Sequence, residues 1–266
     1  MPRKDPIGHL ARHHHDDELP LRLAEEIFAL GPAAVSALVA LVDAPDATVP
    51  GSLAERCALH AVWLLPEFEH PDVFPTLVRA FATWPAEGKG ALRARIALEQ
   101  CAHPELVEPL LALEAPDRAI ATTMILASCG VVDRRIGARI ADLLRIGDLE
   151  ASYAVANYVR DGDDPIDDPD LLAAVHAAFD RCLVDLREAT EAVVASTVGV
   201  DAIPPIDTDP LFGPVAAAQL YVTVLERLGE TSPTRAEALS RAVSWSSARI
   251  RDRMRELEDE VRLLRS

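Results

Sequence analysis

The sequence predicts an all-α protein, and three observations lead to that fold class. Hydrophobic residues make up 50% of the chain but aromatic residues only 5%, with Ala, Leu and Val dominating, which is typical of packed helices rather than of β-sandwiches. Prolines followed by apolar runs recur along the chain. After each of them, apolar residues fall at the i, i+3, i+4, i+7 spacing of an amphipathic helix.

Four short phrases mark predicted helix starts, each with a proline in the first turn and apolar residues after it. They are Gly31-Pro32-Ala33-Ala34-Val35, His70-Pro71-Asp72-Val73-Phe74, His103-Pro104-Glu105-Leu106-Val107 and Asp168-Pro169-Asp170-Leu171-Leu172. Proline is tolerated there because the first N–H groups of a helix have no intrahelical partner. The first three phrases therefore predict the first helix of a pair, another first helix is predicted near Val132, and the fourth phrase predicts the start of a single long helix.

A second helix is predicted after a first helix in four places. These second helices span Leu53 to Leu65, Ala91 to Ala102, Ala119 to Cys129 and Leu149 to Arg160. The stretch from Gly31 to Leu41 and the irregular pair spacing resemble the HEAT-repeat and HEAT-like α-solenoid families, over roughly Gly31 to Phe179. The resemblance implies a right-handed α-solenoid of about four stacked helix pairs, and it implies an architecture rather than an activity.

The flanking segments complete a three-part domain organisation. Residues 1–18 are interpreted as a flexible N-terminal arm, and Leu19 to Leu30 as a helix that caps a solenoid spanning 19–200. A long helix is predicted over Leu171 to Val198, before a proline-rich loop at 203–210. The segment 201–266 is predicted to be a helical extension that contains a helix from Pro214 to Leu228 and ends in a long helix.

The last helix, Thr234 to Ser266, carries a heptad-like seam. Its apolar positions alternate by four and three around one polar position, Ser247: Val243, Ile250, Met254, Leu257, Val261 and Leu264. Two interpretations stay open. Either the seam forms a parallel homodimer, in which Arg253 would pair with Glu258 and Glu260 with Arg265, or it packs on preceding helices of the same chain.

Charge narrows the range of partners. The net charge is −17, and the first 233 residues hold 37 acidic against 18 basic side chains. Such an excess repels a phosphate backbone, so nucleic acid is not expected as a partner, and a basic protein or peptide is. No run of about 18 apolar residues and no secretion signal occurs, so we expect a cytoplasmic protein that neither enters a membrane nor is exported.

Motifs for metals, cofactors and catalysis give no site. Cys57, Cys101, Cys129 and Cys182 lack zinc-ligand or disulfide spacing and are interpreted as packing residues, including Cys57 one helical turn from His60. The run His13-His14-His15-Asp16-Asp17 is interpreted as part of the solvated arm. The acidic segment 161–170 fails as an EF-hand, because Ile166 and Leu172 stand where Gly and Glu are required. We therefore predict no metal, no cofactor and no catalytic residue.

The second helices of a HEAT-like solenoid are expected to line its concave face. The less apolar positions of those helices are the candidate binding residues: Arg56, His60, Trp63, Arg93, Glu99, Thr122, Glu150, Tyr153 and Asn157. Of these, Glu150, Tyr153 and Asn157 fall on one helix face, where tyrosine offers a ring and a hydroxyl. The alternative is that all nine are ordinary solvent-facing residues of amphipathic helices.

The leading functional hypothesis is a non-catalytic interaction scaffold or adaptor that holds a partner on this acidic concave face. Two alternatives stay open. HEAT-like folds include bilin lyases and DNA glycosylases, so the resemblance also admits an enzyme, although Arg56, Arg93, Arg95 and Arg118 are few basic residues for a DNA-binding face. An acidic immunity or inhibitor protein that neutralises a basic toxin is the other.

Overall fold

A computed structural model describes residues 5–10, 19–113, 115–148, 150–160, 166–196 and 212–229. Within these ranges the chain forms twelve α-helices and no strand, which confirms the all-α class. The helices are α1 (Pro6–Leu10), α2 (Leu21–Phe28), α3 (Val35–Val42), α4 (Leu53–Leu64), α5 (Val73–Thr83), α6 (Lys89–Gln100), α7 (Val107–Leu111), α8 (Ala119–Ala127), α9 (Arg134–Ile146), α10 (Ala151–Arg160), α11 (Pro169–Ser196) and α12 (Phe212–Arg227).

In these ranges no single helix is long and apolar enough to cross a membrane. The helices Leu21–Phe28 and Gly31–Val42, bent by 111° where they meet, reach the length and composition of a span only when taken together.

The chain divides into two compact units, Met1–Val131 and Val132–Ser266. The predicted boundary near residue 200 falls outside the described residues. On its far side, α12 packs against α10 and α11, so the three helices belong to one unit. The proline-rich loop and the heptad-like last helix also lie outside the described residues and stay predictions.

Three of the four proline phrases begin helices as predicted. Pro169 is the first residue of α11, while Pro32 and Pro104 lie in short 3-10 turns that lead directly into α3 and α7. The fourth differs because Pro71 lies in a turn and α5 begins only at Val73. In that turn the Nδ1 atom of His70 accepts a hydrogen bond from the Asp72 N–H at 3.2 Å. This bond stabilises a turn, rather than a helix, in the residues before α5.

Four helices of the first unit, α3 to α6, pack against one another. The first helix α3 packs against its partner α4 and against the next first helix, α5. In turn, α5 packs against α6, and the second helices α4 and α6 pack against each other. The side chains of Leu38, Leu64, Leu77 and Leu98, one from each helix, are fully buried between them. Burial of each such side chain contributes about 1.5–3 kcal/mol of apolar transfer free energy.

Part of the predicted N-terminal arm is folded. Residues Pro6–Leu10 form α1, which packs on α2, and Leu10 is fully buried. The Cys57 thiol on α4 donates a hydrogen bond to the Leu10 carbonyl, with 3.4 Å between sulfur and oxygen. Within the stretch interpreted as an arm, these residues are therefore helical and are held by packing on α2 and by a thiol on a later helix, which local composition does not reveal.

Arg118 holds the end of α5. Its side chain is 7% exposed, and its guanidinium donates hydrogen bonds to the carbonyls of Phe81 and Trp84, with its central carbon 5.3 Å from the centroid of the Phe81 ring. Carbonyls at the end of a helix have no intrahelical donor and carry the negative end of its dipole. A buried cation therefore satisfies two groups that would otherwise be unpaired.

The second unit is built on α11, the longest helix in the described part of the chain. Asp168 caps it, because its Oδ1 atom accepts a hydrogen bond from the Leu171 N–H at 3.0 Å. The other oxygen of this carboxylate lies over Gly137 on α9, where a Cβ atom would be only 2.5 Å from it. Glycine at position 137 thus lets α9 approach the start of α11 closely.

We expect the substitution Arg118→Met to lower the free energy of unfolding by about 2–4 kcal/mol, because it leaves two carbonyls without donors. Urea denaturation followed by tryptophan fluorescence measures this, since Trp63 and Trp84 both lie in the first unit. Arg79→Met is the matched control, because Arg79 forms a half-exposed ion pair with Asp43 and should cost less than about 1 kcal/mol. Equal losses in the two variants would contradict the capping role.

We expect Gly137→Ala to destabilise the protein by about 1–3 kcal/mol, although alanine is the better helix former by about 1 kcal/mol. The reason is the clash with the Asp168 carboxylate, so the double substitution Gly137→Ala with Asp168→Ser should recover stability, because serine caps a helix with a shorter side chain. Denaturation followed by circular dichroism measures both. If Gly137→Ala alone stabilised the protein, the Asp168 carboxylate would not lie close to position 137.

Candidate functional site

The second unit holds an open cleft of about 520 Å³ between its helices. This volume is in the range of small-molecule and side-chain binding pockets. The end of α9, the beginning of α10 and the middle of α11 and α12 contribute the lining residues Leu144, Gly147, Asp148, Ser152, Tyr153, Ala178, Arg181, Cys182, Asp185, Ala217 and Tyr221.

The turn after α9 places Asp148 at the cleft. Gly147 has a φ of 77°, a left-handed conformation that glycine adopts without strain, and its N–H donates to the Leu144 carbonyl. The Asp148 N–H donates to the Leu143 carbonyl, which completes a Schellman motif. The Oδ1 atom of Asp148 then accepts a hydrogen bond from the Glu150 N–H at 2.8 Å.

Two carboxylates and one guanidinium set the charge of the cleft. Asp185 lies one helical turn after Arg181 on α11, and both are exposed. The guanidinium of Arg181 donates a hydrogen bond to the Leu144 carbonyl at the end of α9. The cleft therefore contains the carboxylates of Asp148 and Asp185, while the Arg181 cation is bonded to the backbone. The negative end of the α9 dipole lies beside them, so the cleft is acidic.

Cys182 and Tyr221 line the cleft with buried side chains, 8% and 7% exposed. Burial, together with the nearby Asp185 carboxylate, raises the pKa of Cys182 to about 11. Burial also raises the pKa of Tyr221 to about 12, with Cys182 adding to the shift and Arg181 opposing it. Both groups are therefore protonated at neutral pH, so the cleft offers a thiol and a phenol rather than their nucleophilic anions.

One exposed aromatic side chain lines the cleft. Tyr153 lines it with 64% of its surface exposed. Two other exposed apolar residues are sequence neighbours of lining residues: Ile146, 74% exposed, precedes Gly147, and Val184, 44% exposed, precedes Asp185. An exposed aromatic ring in a cleft is a feature that binding sites commonly use.

The nine predicted binding residues divide between the two units. In the second unit Tyr153 lines the cleft, while Glu150 and Asn157 are half-buried and do not. In the first unit Trp63 on α4 is 43% exposed. Arg56 on α4 and Arg93 and Glu99 on α6 are half-buried, and Glu99 accepts a hydrogen bond from Arg95 at 2.8 Å.

His60 and Thr122 do not face solvent, contrary to their selection as surface positions. Their side chains are only 4% and 1% exposed. The helix that carries Thr122 is buried from Thr122 through Ala127, so its polar residues do not mark a solvent-facing side. For these two residues, polarity alone was a misleading guide to position.

Sequence reasoning missed most of the residues that line the cleft. Asp148, Arg181, Asp185 and Tyr221 were not singled out, and Cys182 was interpreted only as a packing residue. The i, i+4 pair formed by Arg181 and Asp185 was the one available signal on α11. It gave no indication of the cleft because the approach of α12 to α10 and α11 is not encoded in any spacing along the chain.

The other residues considered for chemistry lie away from the lining of the cleft or outside the described residues. Cys57 and His60 are both buried in α4, and burial raises the pKa of the Cys57 thiol. No group of three or more His, Cys, Asp or Glu side chains that could hold a metal ion occurs within the part of the chain that the structure describes. The histidine run at 13–15 and the acidic residues 161–164 lie outside it.

Comparison of the chain with models of protein families, with curated proteins and with solved structures finds no match.

We expect Cys182 to react with iodoacetamide at pH 8 about a hundredfold more slowly than free cysteine, because its raised pKa leaves little thiolate. A variant that keeps only this cysteine, with alanine at 57, 101 and 129, isolates the reaction for mass spectrometry. The rate should rise steeply between pH 9 and about 11, where the thiol ionises. A rate at pH 8 equal to that of free cysteine would instead indicate an activated nucleophile.

Proposed function

We propose that the protein is a non-catalytic interaction module that binds a basic protein partner at the acidic cleft of its second unit. The observation that carries the proposal is the exposed ring of Tyr153 in a cleft that also contains Asp148 and Asp185. Apolar contacts with an aromatic residue at the centre and charged residues around them are the usual anatomy of protein interfaces.

Charge favours a basic partner. Acidic side chains outnumber basic ones by 43 to 26 over the chain, so the field of the protein attracts cationic molecules and speeds their encounter. The same field, with two carboxylates at the cleft, disfavours a phosphate backbone, which weighs against the DNA-glycosylase alternative. An inhibitor of a basic toxin is one form that such a partnership could take.

The chemistry of the cleft favours binding over catalysis. Cys182 and Tyr221 keep their protons at neutral pH, and the guanidinium of Arg181 is engaged by the Leu144 carbonyl. A nucleophile in its neutral form needs a neighbouring base to become reactive. The Asp185 carboxylate raises the pKa of Cys182 and so acts against ionisation.

The proposal includes a HEAT-like solenoid of about four helix pairs as the scaffold. It is supported in the first unit by the packing of first helix on first helix, α3 on α5, and of second helix on second helix, α4 on α6. A reducing, cytoplasmic setting is also part of the proposal, supported by the absence of a disulfide bond at the four cysteines, all of which the structure describes.

Affinity capture from an extract of the source cells tests the function. We expect the intact chain to retain a basic protein and the double variant Ile146→Ser with Tyr153→Ser to lose at least about 90% of it, because hot-spot aromatic residues dominate binding energy. Leu21→Ser is the matched control, since Leu21 is 72% exposed but lies in the first unit, and it should retain the partner. Equal retention by all three proteins, or retention by none, would count against the proposal.

A further inference from the structure

We infer that the cleft receives the cationic end of a lysine or arginine side chain of the bound partner, held by Asp185, Asp148 and the Tyr221 hydroxyl. This inference rests on the proposed function and specifies which group of the partner is recognised. It depends on the Tyr221 hydroxyl, with which no described residue forms a hydrogen bond, on the Asp148 and Asp185 carboxylates, and on the apolar residues that line the cleft.

The Tyr221 hydroxyl is the first observation. The side chain is 7% exposed and lines the cleft, where its ring contacts Phe179 with 6.3 Å between centroids. Among the residues that the structure describes, none forms a hydrogen bond with this hydroxyl. The hydroxyl oxygen itself still meets solvent in the cleft, so a polar atom of a ligand can take the place of water there.

The carboxylates define the sign of the ligand charge. Asp185 accepts no hydrogen bond from the described residues, and Asp148 uses only its Oδ1 atom, for the Glu150 N–H. Carboxylates with free acceptor positions bind N–H groups of cations in short, charge-assisted hydrogen bonds. An anionic ligand would meet two negative charges, while the one guanidinium among the described lining residues, that of Arg181, already donates to Leu144.

The walls suit an aliphatic stem. Leu144 and Ala178 are apolar lining residues that are 1% and 5% exposed, and the ring of Tyr153 is the most exposed aromatic surface beside them. Lysine and arginine cover apolar surface with their methylene groups while their charged ends make polar contacts. Arginine and lysine also stack on tyrosine rings. A long apolar stem that ends in several N–H donors therefore matches all parts of the cleft.

Titration of the full chain with blocked amino acids tests the inference. The probes are the N-acetyl methylamides of lysine and arginine, with that of norleucine as the neutral control of equal stem length. Selective 13C labelling of the three tyrosines lets NMR follow each ring, and Tyr158 is the internal reference. Tyr153 and Tyr221 line the cleft, whereas the hydroxyl of Tyr158 is hydrogen-bonded to the backbone of Asp133.

We expect the lysine or arginine probe to shift the NMR signals of the Tyr153 and Tyr221 rings but not those of Tyr158. The dissociation constant should be on the order of 1 mM, because a single side chain offers few contacts. Norleucine should bind at least about tenfold more weakly. Asp185→Asn should weaken binding at least about tenfold, and Tyr221→Phe, read at Tyr153, about three- to tenfold. The control Asp180→Asn removes the same charge from an exposed position of α11 outside the cleft and should leave binding unchanged.

The outcomes separate this inference from the proposed function. Equal binding of norleucine, or unchanged binding to Asp185→Asn, overturns the inference even if the capture experiment succeeds. Binding of n-pentylammonium more than tenfold tighter than the blocked lysine also overturns it, because the ligand would then be a free amine. Binding of the blocked amino acids without any captured protein supports the specificity of the cleft and overturns the proposed function.

Discussion

Arginine side chains that donate to the carbonyls at helix C-termini hold neighbouring elements together. Arg118 donates to the end of α5, Arg181 to the end of α9 and Arg227 to the Val159 carbonyl at the end of α10. These helices are 11, 13 and 10 residues long, so the four carbonyls that each leaves without an intrahelical partner are a large share of its backbone. A guanidinium from another element satisfies some of them and opposes the helix dipole.

The same interaction gives the cleft its character. Because Arg181 is engaged at the end of α9, it joins α9 to α11 and contributes less to neutralising the carboxylates beside it. Asp148 reaches the cleft through the Schellman turn that Gly147 permits, so the end of α9 supplies both the carbonyl and one of the acids. The interaction that ties two helices together thus leaves an acidic surface beside it.

Burial keeps the two ionisable side chains in the wall of the cleft protonated at neutral pH. A cysteine and a tyrosine in one cleft would suggest catalysis if they were ionised, yet loss of solvent raises the pKa of Cys182 to about 11 and of Tyr221 to about 12. Neutral groups of this kind contribute hydrogen bonds and packing, which are the terms that give specificity to binding. The exposed ring of Tyr153 adds the apolar contact that a protein interface requires.

The sequence by itself determined the helical class and most helix ends, because these depend on residues close together in the chain. Pro169 begins α11, Ser52 caps α4 through the Glu55 N–H, and Gly147 ends α9. It also identified Tyr153, whose exposure follows from its own helix. Only the tertiary structure decided that Asp185 and Tyr221, 36 positions apart, line one cleft and that Thr122 is buried. Periodicity tells which side of a helix is apolar, but the choice of neighbouring helices depends on packing between distant segments, which no local pattern records.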